Sequence, residues 1–569
     1  MAPPADRAGV RADQAGVRAR SPSVTDPAAQ NPAATPGTSR QLVRSSAIVG
    51  VGTALSRVTG FLRVSAMASI GFGRLTDVYN IANSTPNIVY ELLLGGILTA
   101  TLVPLYVEHL HHNDEEASDA INSVAIVGLV IITLLGVAAT PWIIKLYTLR
   151  LHGSDRAAQQ RLATNLLFLF MPQILFYGIT ALATAMLNAR RRFAAAAFAP
   201  VVNNIVVIGV FVGLPYATTH RLSVATVDGS LGLLLLLGAG TTAGIVAMAL
   251  VLLPALRRAG VRLRFSTQWR HPAVRKLARL SAWTFGYVAA NQIAALVVLF
   301  LSYGRSGDAS VYVAAFTFFQ LPHGLFAVSL MTALVPELSR AATAGDLGAF
   351  RDQFSLGLRL MALVVLPAAV VMVVLARPIV NGLLLYGHFS TQSAGRTAST
   401  LALFGVGVFS FSLYLFALRG FYSLQDTRTP FYLNCLENAL NIVLALVLYP
   451  VWHVAGLALA WSIAYVVASV AAMLALRRRL VRLEGRRTVR SLLRVSVASA
   501  LLGVVAWLLA TGVGYSSARR ALAALAAAGA VGAVVYVGAL IALRSDEIGD
   551  LRAALRRRRH GGDRPAVSA

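Results

Sequence analysis

The stretch LGLLLLLGAGTTAGIVAMALVLL, residues 231–253, contains no charged residue and is long enough to cross a lipid bilayer as an α-helix. About 20 apolar residues in helical conformation span the roughly 30 Å hydrocarbon core. Comparable stretches follow one another through most of the chain, which is 57% hydrophobic and 13% charged, with a mean hydropathy of +0.68. A water-facing globular domain does not have this composition. We therefore predict an all-α polytopic membrane protein.

The apolar stretches predict fourteen transmembrane helices. Leu, Val and Ala follow one another without interruption, whereas the strands of a membrane barrel alternate apolar and polar residues over about ten positions. The expected spans are 46–70, 78–107, 120–147, 162–188, 197–216, 229–256, 277–302, 309–338, 354–376, 397–422, 430–449, 453–476, 491–513 and 519–543.

The positive charges predict the orientation in the membrane. The formal net charge is +27, and the basic residues are concentrated in alternate loops. These loops and the tail on the same side include Arg190–Arg192, Arg257–Arg279, Arg477–Arg494 and Arg556–Arg559, whereas the opposite side has isolated arginines such as Arg74, Arg221 and Arg305. The positive-inside rule assigns the rich loops to the cytoplasm, and an even number of spans puts both termini there. Topology explains the charge better than nucleic-acid binding, because no soluble domain has a basic stripe.

The chain also shows an internal repeat. Pro104 in TATLVP and Pro336 in MTALVP are 232 residues apart, and NIV at 204–206 recurs at 441–443. The two offsets, 232 and 237 residues, are nearly equal. Two related six-helix lobes with the same orientation explain them, and this arrangement is common in transporters. We expect a disordered cytoplasmic tail (1–44), an N-terminal lobe (45–257), a C-terminal lobe (258–480), two extra helices (481–544) and a basic cytoplasmic tail (545–569).

Enzyme chemistry is not indicated. The sequence has no HExxH, GxSxG or P-loop motif, and no loop is large enough for a soluble catalytic domain. Cys435 is the only cysteine, so neither an internal disulfide nor a cysteine-based zinc site is available. The loop His109–Asp119 contains histidines and carboxylates, but their spacing matches no defined metal site, and we interpret it as a solvated loop. We expect no metal and no cofactor, and the protein should move a cargo rather than convert it.

Two arginines lie within the first predicted span, in LSRVTGFLRVSAMASIGFG at 55–73. A charge at a helix centre costs roughly 3 kcal/mol on insertion scales, so it should face a bundle interior or an aqueous cavity. Arg63 lies deep in the span and is the stronger candidate for a cavity residue. Arg57 lies nearer the cytoplasm, where snorkelling or pairing with a carboxylate is the favoured alternative.

Other polar residues within the spans form two further sets of candidates. Asn87, Glu91, Thr317 and Gln320 are candidate cavity residues. Asn291, Glu437 and Asn441 are candidates for an ion or coupling site, and the four-residue spacing of the last two places them on one helix face. Hydrogen bonding between helices is the commoner reason for such residues.

Several segments resemble the lipid II flippases of the MurJ (MviN) family, within the multidrug/oligosaccharidyl-lipid/polysaccharide (MOP) exporter superfamily. They are SRVTGFLR, TDVYNIAN, TPN, LVPLY, FFQLPHGLFAVSLMTALVP and GFYSLQDTRTP, and the resemblance runs from about 45 to 543. It implies a V-shaped pair of bundles around a cationic cavity, with the last two helices forming a groove for the polyprenyl tail. Guanidinium groups suit this cargo because they bind a pyrophosphate bidentately and keep their charge.

The resemblance extends to individual residues unevenly. Arg57, Arg63 and Asp77 match charged residues of the family, and the resemblance implies that all three are substrate-binding residues of the cavity. At other family positions with charged side chains, this chain has Val64, Tyr90, Thr317 and Gln320. Much of the usual cavity charge is therefore missing. Arg419 near the end of the tenth span could compensate, although an ordinary positive-inside residue is the favoured interpretation.

The expected function is translocation of lipid II, the lipid-linked peptidoglycan precursor, from the cytoplasmic to the outer leaflet of the bacterial plasma membrane by alternating access. The missing arginines leave open another polyprenyl-linked glycan as the cargo. A non-transporting membrane scaffold for wall-synthesis proteins is the alternative from another class. The expected partners are the undecaprenyl-type substrate, membrane lipids and cell-wall synthesis proteins. The coupling ion (sodium or proton) or the membrane potential supplies the driving force in this hypothesis.

Overall fold

The structure is a computed structural model that describes residues 36–92, 102–111, 115–151, 156–261, 266, 271–480 and 485–545. The chain divides into two compact units, Met1–Ala47 and Ile48–Ala569. Within the first unit, only the start of one helix belongs to the described residues. The description below concerns the second unit. Its described residues are almost entirely helical and contain no strand, which confirms the predicted all-α class.

Ten helices precede the middle of the chain and form the N-terminal lobe. They are α1 (Pro36–Ser69), α2 (Arg74–Tyr90), α3 (Val103–His111), α4 (Glu115–Tyr147), α5 (Arg156–Phe170), α6 (Gln173–Ala189), α7 (Phe193–Gly213), α8 (Val224–Asp228), α9 (Leu231–Leu250) and α10 (Leu253–Arg258).

Seven helices form the C-terminal lobe, and two more follow it. They are α11 (Pro272–Ser302), α12 (Asp308–Pro322), α13 (Val328–Thr343), α14 (Leu347–Val374), α15 (Ala376–Leu384), α16 (Thr391–Ser423), α17 (Arg428–Leu480), α18 (Gly485–Val513) and α19 (Ala518–Ala542).

Thirteen of the predicted spans lie on helices, and the remaining one, 78–107, begins on α2 and ends on α3, with residues 93–101 outside the described residues. Eleven helices among the described residues are long and apolar enough to cross a membrane. One of them, α17, covers two predicted spans, because it consists of two helices that meet at a kink, where His453 has a non-helical backbone conformation (φ 49°, ψ −134°). The first two predicted spans fall on α1 and on α2 with α3. Helix α1 begins at Pro36 instead of residue 46, since a helix does not have to end where the membrane ends.

Each lobe has its own aromatic core. In the N-terminal lobe, Tyr79 packs edge-on against Phe170 and Phe211, with ring centroids 5.7 and 4.9 Å away. In the C-terminal lobe, Trp461 packs against Phe319 at 4.5 Å and against Phe411 at 5.2 Å. Offset and edge-on aromatic pairs stabilise a core beyond their buried area.

The internal repeat is visible in the helix breaks. Helix α2 ends at Tyr90 and is followed by a π-helical turn at Glu91 and Leu92. Helix α12 ends at Pro322, 232 residues later, and is followed by the π-helical segment His323–Ala327. Widened turns of this kind are rare and are frequent at functional sites. The offset equals that of the two prolines in the sequence repeat.

The last two helices pack against the C-terminal lobe through small residues. Gly503 of α18 lies so close to Val370 of α14 that an added Cβ would come within 2.6 Å of the valine side chain. Gly382 of α15 meets Leu522 of α19 in a similar way, at 3.2 Å. Trp507 of α18 and Val534 of α19 are exposed on the outer surface. An apolar surface of this kind is expected to face lipid.

Candidate functional site

A polar cavity of about 220 Å³ lies between the lobes. Its wall comes mainly from α1 and α2, with Tyr177 and Phe211 behind them and Val313 of α12 on the side of the C-terminal lobe. The charged residue in this wall is Arg63, as the sequence predicted. Arg63 is half-buried and makes no ion pair with another described residue. A cation held at a cavity without a carboxylate partner is a natural ligand for an anion.

Side-chain amides and a hydroxyl surround the Arg63 guanidinium. Asn80, Asn83, Ser84 and Asn87 line the same cavity from α2. Their spacing of three, four and seven residues places them on one helix face. Only Asn87 was predicted. The other three could have been found from this polar stripe, which has helical spacing within the second predicted span. These side chains supply neutral hydrogen-bonding groups to the wall.

Arg57 connects the two lobes. Its Nη1 donates a hydrogen bond of 2.6 Å to Oε1 of Gln320 in α12. The partner among the described residues is thus an amide of the other lobe and not a carboxylate, and snorkelling of Arg57 stays a prediction. An added Cβ at Gly324 would come within 3.2 Å of the Arg57 Nε, so the guanidinium packs closely on the π-helical segment. Thr317 lies one turn before Gln320 in α12. Its hydroxyl donates to the backbone carbonyl of Val313 in the same helix at 2.8 Å.

A second contact between the lobes lies at the opposite end of α1 from Arg57. We call this the distal end, where α1 joins α2 and α11 joins α12; the proximal end is where α6 joins α7 and α16 joins α17. Asp77 is fully buried there. Its carboxylate accepts backbone hydrogen bonds from Gly307 (2.5 Å) and Ser310 (3.0 Å), and the Ser310 hydroxyl donates to it at 2.8 Å. Asp77 therefore caps α12 of the other lobe and lies outside the predicted cavity wall.

Further distal contacts reinforce this connection. Arg74 donates to the carbonyls of Tyr303 (2.8 Å) and Gly304 (3.3 Å). The His388 amide donates to the Ser69 carbonyl at 2.8 Å. Gly307 has φ 85°, a left-handed backbone that favours glycine, and this conformation directs its N–H to Asp77. The distal end is closed by bonds that join the two lobes directly.

The predicted ion-site residues divide into two groups. The side-chain amide oxygen (Oδ1) of Asn291 accepts hydrogen bonds of 3.0 Å from the side-chain amides of Asn434 and Asn438. Hydrogen bonding between helices therefore explains Asn291. It does not explain Glu437, which is 1% exposed, or Asn441, which is 5% exposed. One oxygen of each has no hydrogen-bond partner among the described residues.

The structure does not define a binding role for three other candidates: Glu91, Arg419 and the loop His109–Asp119. Glu91 begins the π-helical turn after α2, is half-buried, and its backbone N–H donates to the carbonyls of Asn87 and Ile88. Arg419 of α16 is exposed, in keeping with a positive-inside residue. In the loop His109–Asp119, residues 112–114 lie outside the described residues. Within the described part of the chain, no group of three or more His, Cys, Asp or Glu residues is placed to hold a metal ion.

Comparison with known proteins identifies the family. The family model described as "Lipid II flippase MurJ" matches residues 67–516. The chain belongs to the MurJ family. A "Probable lipid II flippase MurJ" from Rhizobium meliloti (strain 1021) is 30% identical over 428 residues, which cover 74% of this chain and 78% of the relative. Membership of the MurJ family, with the many apolar helices, makes this a multi-pass protein of the bacterial plasma membrane.

Solved structures of MurJ and of a related transporter share the fold. The structure "Lipid II flippase MurJ, inward closed conformation" superimposes with a TM-score of 0.72 at 21% identity, covering 88% of this chain and 99% of that one. An inward-facing multidrug resistance MATE family transporter of the MOP superfamily gives a TM-score of 0.61 at 14% identity, with coverages of 76% and 99%. The MurJ architecture, and the wider MOP fold, are thus confirmed for this chain.

Proposed function

We propose that this protein transports lipid II from the cytoplasmic to the outer leaflet of the plasma membrane. The observation that supports this function most directly is Arg63, a half-buried guanidinium in a cavity between two lobes, without a carboxylate partner among the described residues. The cargo has a diphosphate between its lipid and its sugars, and arginine binds such a group through paired N–H donors. The cargo is moved without covalent change.

The amide stripe of α2 has a defined part in this proposal. Asn83, Ser84 and Asn87 lie beside Arg63 and supply hydrogen bonds to phosphate or sugar oxygens. Neutral donors bind these oxygens more weakly than a second arginine does, but they impose no repulsion on Arg63. A cavity with one cation also releases its cargo more readily, which a transporter requires. Tyr90 and Thr317, at positions where the family has charge, are consistent with this weaker site.

The two lobe contacts act as gates in the proposed transport cycle. We assign the proximal end to the cytoplasm, because its loops include the arginine-rich segments, and both termini then lie in the cytoplasm. The Asp77 contact closes the distal, outer end. The single hydrogen bond between Arg57 and Gln320 joins the lobes on the cytoplasmic side. Opening one contact while the other is closed gives the cargo access to one leaflet at a time.

We propose Glu437 as the residue that couples transport to an ion. Its carboxylate is buried in α17 and lacks a hydrogen-bond partner for one oxygen, as does Asn441 one turn later. A buried carboxylate of this kind is stabilised when it takes up a proton or a sodium ion. The next residue of α17, Asn438, donates a hydrogen bond to the side-chain amide oxygen of Asn291 in α11. Glu437 is therefore adjacent in sequence to this group of amides. Occupancy of this site would then bias the two states of the C-terminal lobe.

A replacement experiment tests the proposal. Cells depleted of their native lipid II flippase receive this chain as wild type, Arg63→Ala, Arg63→Lys or the control Arg221→Ala, an exposed arginine outside the cavity. We expect the wild type and the control to restore lipid II in the outer leaflet, Arg63→Lys to restore part of it, and Arg63→Ala to restore none.

The outcomes separate the proposal from its alternatives. Restoration by Arg63→Ala at the wild-type level would remove the cavity from the function and favour a scaffold that acts through its tails. Failure of the wild type, with normal membrane insertion, would exclude lipid II as the cargo and favour another polyprenyl-linked glycan. Replacing Glu437 with Gln should abolish the response of transport to pH or sodium while lipid II still binds.

A further inference from the structure

A short motif occurs once in each lobe at the distal end. Gly73–Asp77 and Gly304–Asp308 both have the pattern Gly-Arg-x-x-Asp, and the two copies are 231 residues apart. In the first copy, Arg74 and Asp77 are both engaged in the contact between the lobes. In the second copy, Asp308 is fully buried, accepts a hydrogen bond from Tyr449 at 3.2 Å and forms an ion pair with Arg396. Its arginine, Arg305, has no such engagement.

Arg305 is exposed and makes no ion pair with any described residue. Arg74 stabilises the lobe contact through carbonyl groups, and Arg396 neutralises Asp308. Neither explanation applies to Arg305. The positive-inside rule disfavours arginine at the outer end of a membrane protein. Arg305 is exposed beside the engaged pair Arg396 and Asp308, so its guanidinium is accessible to a ligand outside the protein.

Other guanidinium groups surround the same loop. The Arg150 Cζ lies 5.4 Å from the Tyr449 ring, and Arg396 donates at 2.9 Å to the carbonyl of Ser306, the residue next to Arg305. The His453 ring lies 6.0 Å from the Tyr449 ring and is exposed. We call this set the distal basic cluster: Arg74, Arg150, Arg305, Arg396 and His453. It combines side chains from both lobes, so the sequence, with its isolated arginines, did not predict it.

The carboxylates near the cluster do not balance its charge. Asp77 and Asp308 are the acidic residues of the two motifs, and both are fully buried. Asp77 accepts from Gly307 and Ser310, and Asp308 accepts from Arg396 and Tyr449. Among the described residues, the four arginines of the cluster, Arg74, Arg150, Arg305 and Arg396, against these two carboxylates give an excess of two positive charges, and Arg305 is exposed. The free face of the cluster is thus cationic.

Aromatic residues place the cluster at the level of lipid headgroups. Trp452, next to His453, is 51% exposed, and Tyr386, two residues before His388, is 43% exposed. Exposed Trp and Tyr at the ends of membrane helices mark the interface between hydrocarbon and water. Phosphate groups of lipids lie at this depth, and arginine is the side chain best suited to bind them.

We infer that the distal basic cluster binds the phosphate of a lipid headgroup in the outer leaflet, with Arg305 as its principal ligand. Two sources share this chemistry: the diphosphate of a polyprenyl-linked cargo that leaves the cavity, and the phosphodiester of an anionic phospholipid. The inference rests on the proposed function only for the assignment of the distal end to the outer leaflet. The site is distinct from Arg63, which faces the cavity.

Binding of two lipid probes to the purified full chain tests the inference. The probes are undecaprenyl diphosphate and phosphatidylglycerol, with phosphatidylcholine as the neutral reference, and native mass spectrometry measures the retained lipid. All variants are made in an Arg63→Ala background, so that the cavity does not contribute. Arg305→Gln is compared with Arg305→Lys and with the control Arg221→Gln, another exposed distal arginine.

We expect Arg305→Gln to weaken binding of at least one anionic probe about tenfold, the effect of losing one charge-assisted phosphate contact. Arg305→Lys should retain most of the affinity, and Arg221→Gln all of it. An effect on undecaprenyl diphosphate alone identifies the departing cargo as the ligand, and an effect on phosphatidylglycerol identifies a resident phospholipid. Equal retention of both probes by Arg305→Gln and Arg221→Gln would overturn the inference. Because transport is not measured, a failure of the lipid II proposal would leave this result unchanged.

Discussion

The two contacts between the lobes differ in strength and in kind. At the distal end, the Asp77 carboxylate accepts two backbone bonds and one hydroxyl bond from the start of α12, and Arg74 adds two bonds to carbonyls. On the proximal side, Arg57 and Gln320 form one bond between side chains. Hydrogen bonds to charged groups contribute about 1.5–3 kcal/mol each, and loss of a buried partner costs more. The outer gate is therefore the harder one to open.

The difference also shows how the cycle can be driven. Side chains such as Arg57 can change rotamer and release Gln320 at small cost. Asp77 binds backbone N–H groups, which cannot turn away without moving the start of α12. In the proposed cycle, opening of the outer gate therefore moves the start of α12 away from Asp77. Breaking each contact in turn tests this comparison.

The largest effect is expected from Asp77→Asn. The substitution removes the charge and places an amide against two N–H donors, so the outer contact should lose about 3 kcal/mol or more. That loss shifts the balance of closed and open outer gates by at least a hundredfold. Distances between spin labels on the two lobes at the distal end, in a chain with Cys435→Ala, measure the shift. Unchanged distances in a well-folded Asp77→Asn protein would contradict the role of this contact.

A smaller shift in the same direction is expected from Ser310→Ala. The Ser310 hydroxyl donates to Asp77 at 2.8 Å and accepts from Asn80 at 3.1 Å. Its loss leaves the two backbone bonds in place, so about 1 kcal/mol, or roughly fivefold, should be lost. Ser329→Ala is the matched control, because that serine bonds only to its own helix. Equal label distances in Ser310→Ala and Ser329→Ala would show that the Ser310 hydroxyl does not contribute and that the backbone bonds to Asp77 alone hold the contact.

The proximal contact should respond in the opposite sense. Gln320→Ala removes the acceptor that the Arg57 side chain has among the described residues and should favour opening toward the cytoplasm by a few-fold. Gln320→Glu should favour closure, because it turns the bond into an ion pair. Accessibility of a cysteine placed near Arg57 to a water-soluble thiol reagent measures both changes. The same reaction rate for the two variants would mean that this bond does not gate the cavity.

The smallest effect is expected for Asp426, in the loop between α16 and α17 at the proximal end. Its ionisation should make the stability of the protein depend on pH. Burial raises the pKa of Asp426, but hydrogen bonds from Thr429 and Arg428 and the ion pair with Arg479 outweigh it, so the pKa lies below its usual value. A lowered pKa in the folded state means that the contribution to stability is present above the unfolded pKa. It is lost as the pH falls through the folded pKa.

Thermal unfolding between pH 7 and pH 3 checks this expectation. The melting temperature of Asp426→Asn should fall less with acidification than that of the wild type. Asp346→Asn serves as the control, since Asp346 also caps a helix, through a bond from Ala349 of 2.9 Å, but has no described arginine partner. If Asp426→Asn and the wild type lose stability in parallel, the Arg479 pair has no measurable effect.

The sequence predicted the helices well because the membrane imposes one requirement on every span. Each must be apolar over about 20 residues, and this can be counted residue by residue. The break between the eleventh and twelfth spans was also placed correctly, at the kink of His453. The early start of α1 at Pro36 was missed, because hydropathy reports the membrane boundary and not the end of the helix.

The site was predicted less completely, for reasons that differ between residues. Arg63 was found because a charge in an apolar span is conspicuous, and it lines the cavity. Asp77 was found by resemblance, but its partners are backbone groups 230 residues away, which no side-chain pattern reveals. The distal basic cluster was missed because its arginines are scattered along the chain and meet only after folding. The roles of Glu437 and Asn441 stay a prediction.

Direct binding of lipid II to the purified full chain tests the central claim most closely. Dissociation constants for wild type, Arg63→Gln and the control Arg221→Gln, measured in the same lipid nanodiscs, compare the cavity arginine with an exposed arginine of the same charge. We predict that Arg63→Gln weakens binding at least tenfold and that Arg221→Gln leaves it unchanged. Equal affinity of Arg63→Gln and the wild type would show that the cargo binds elsewhere and would contradict this account.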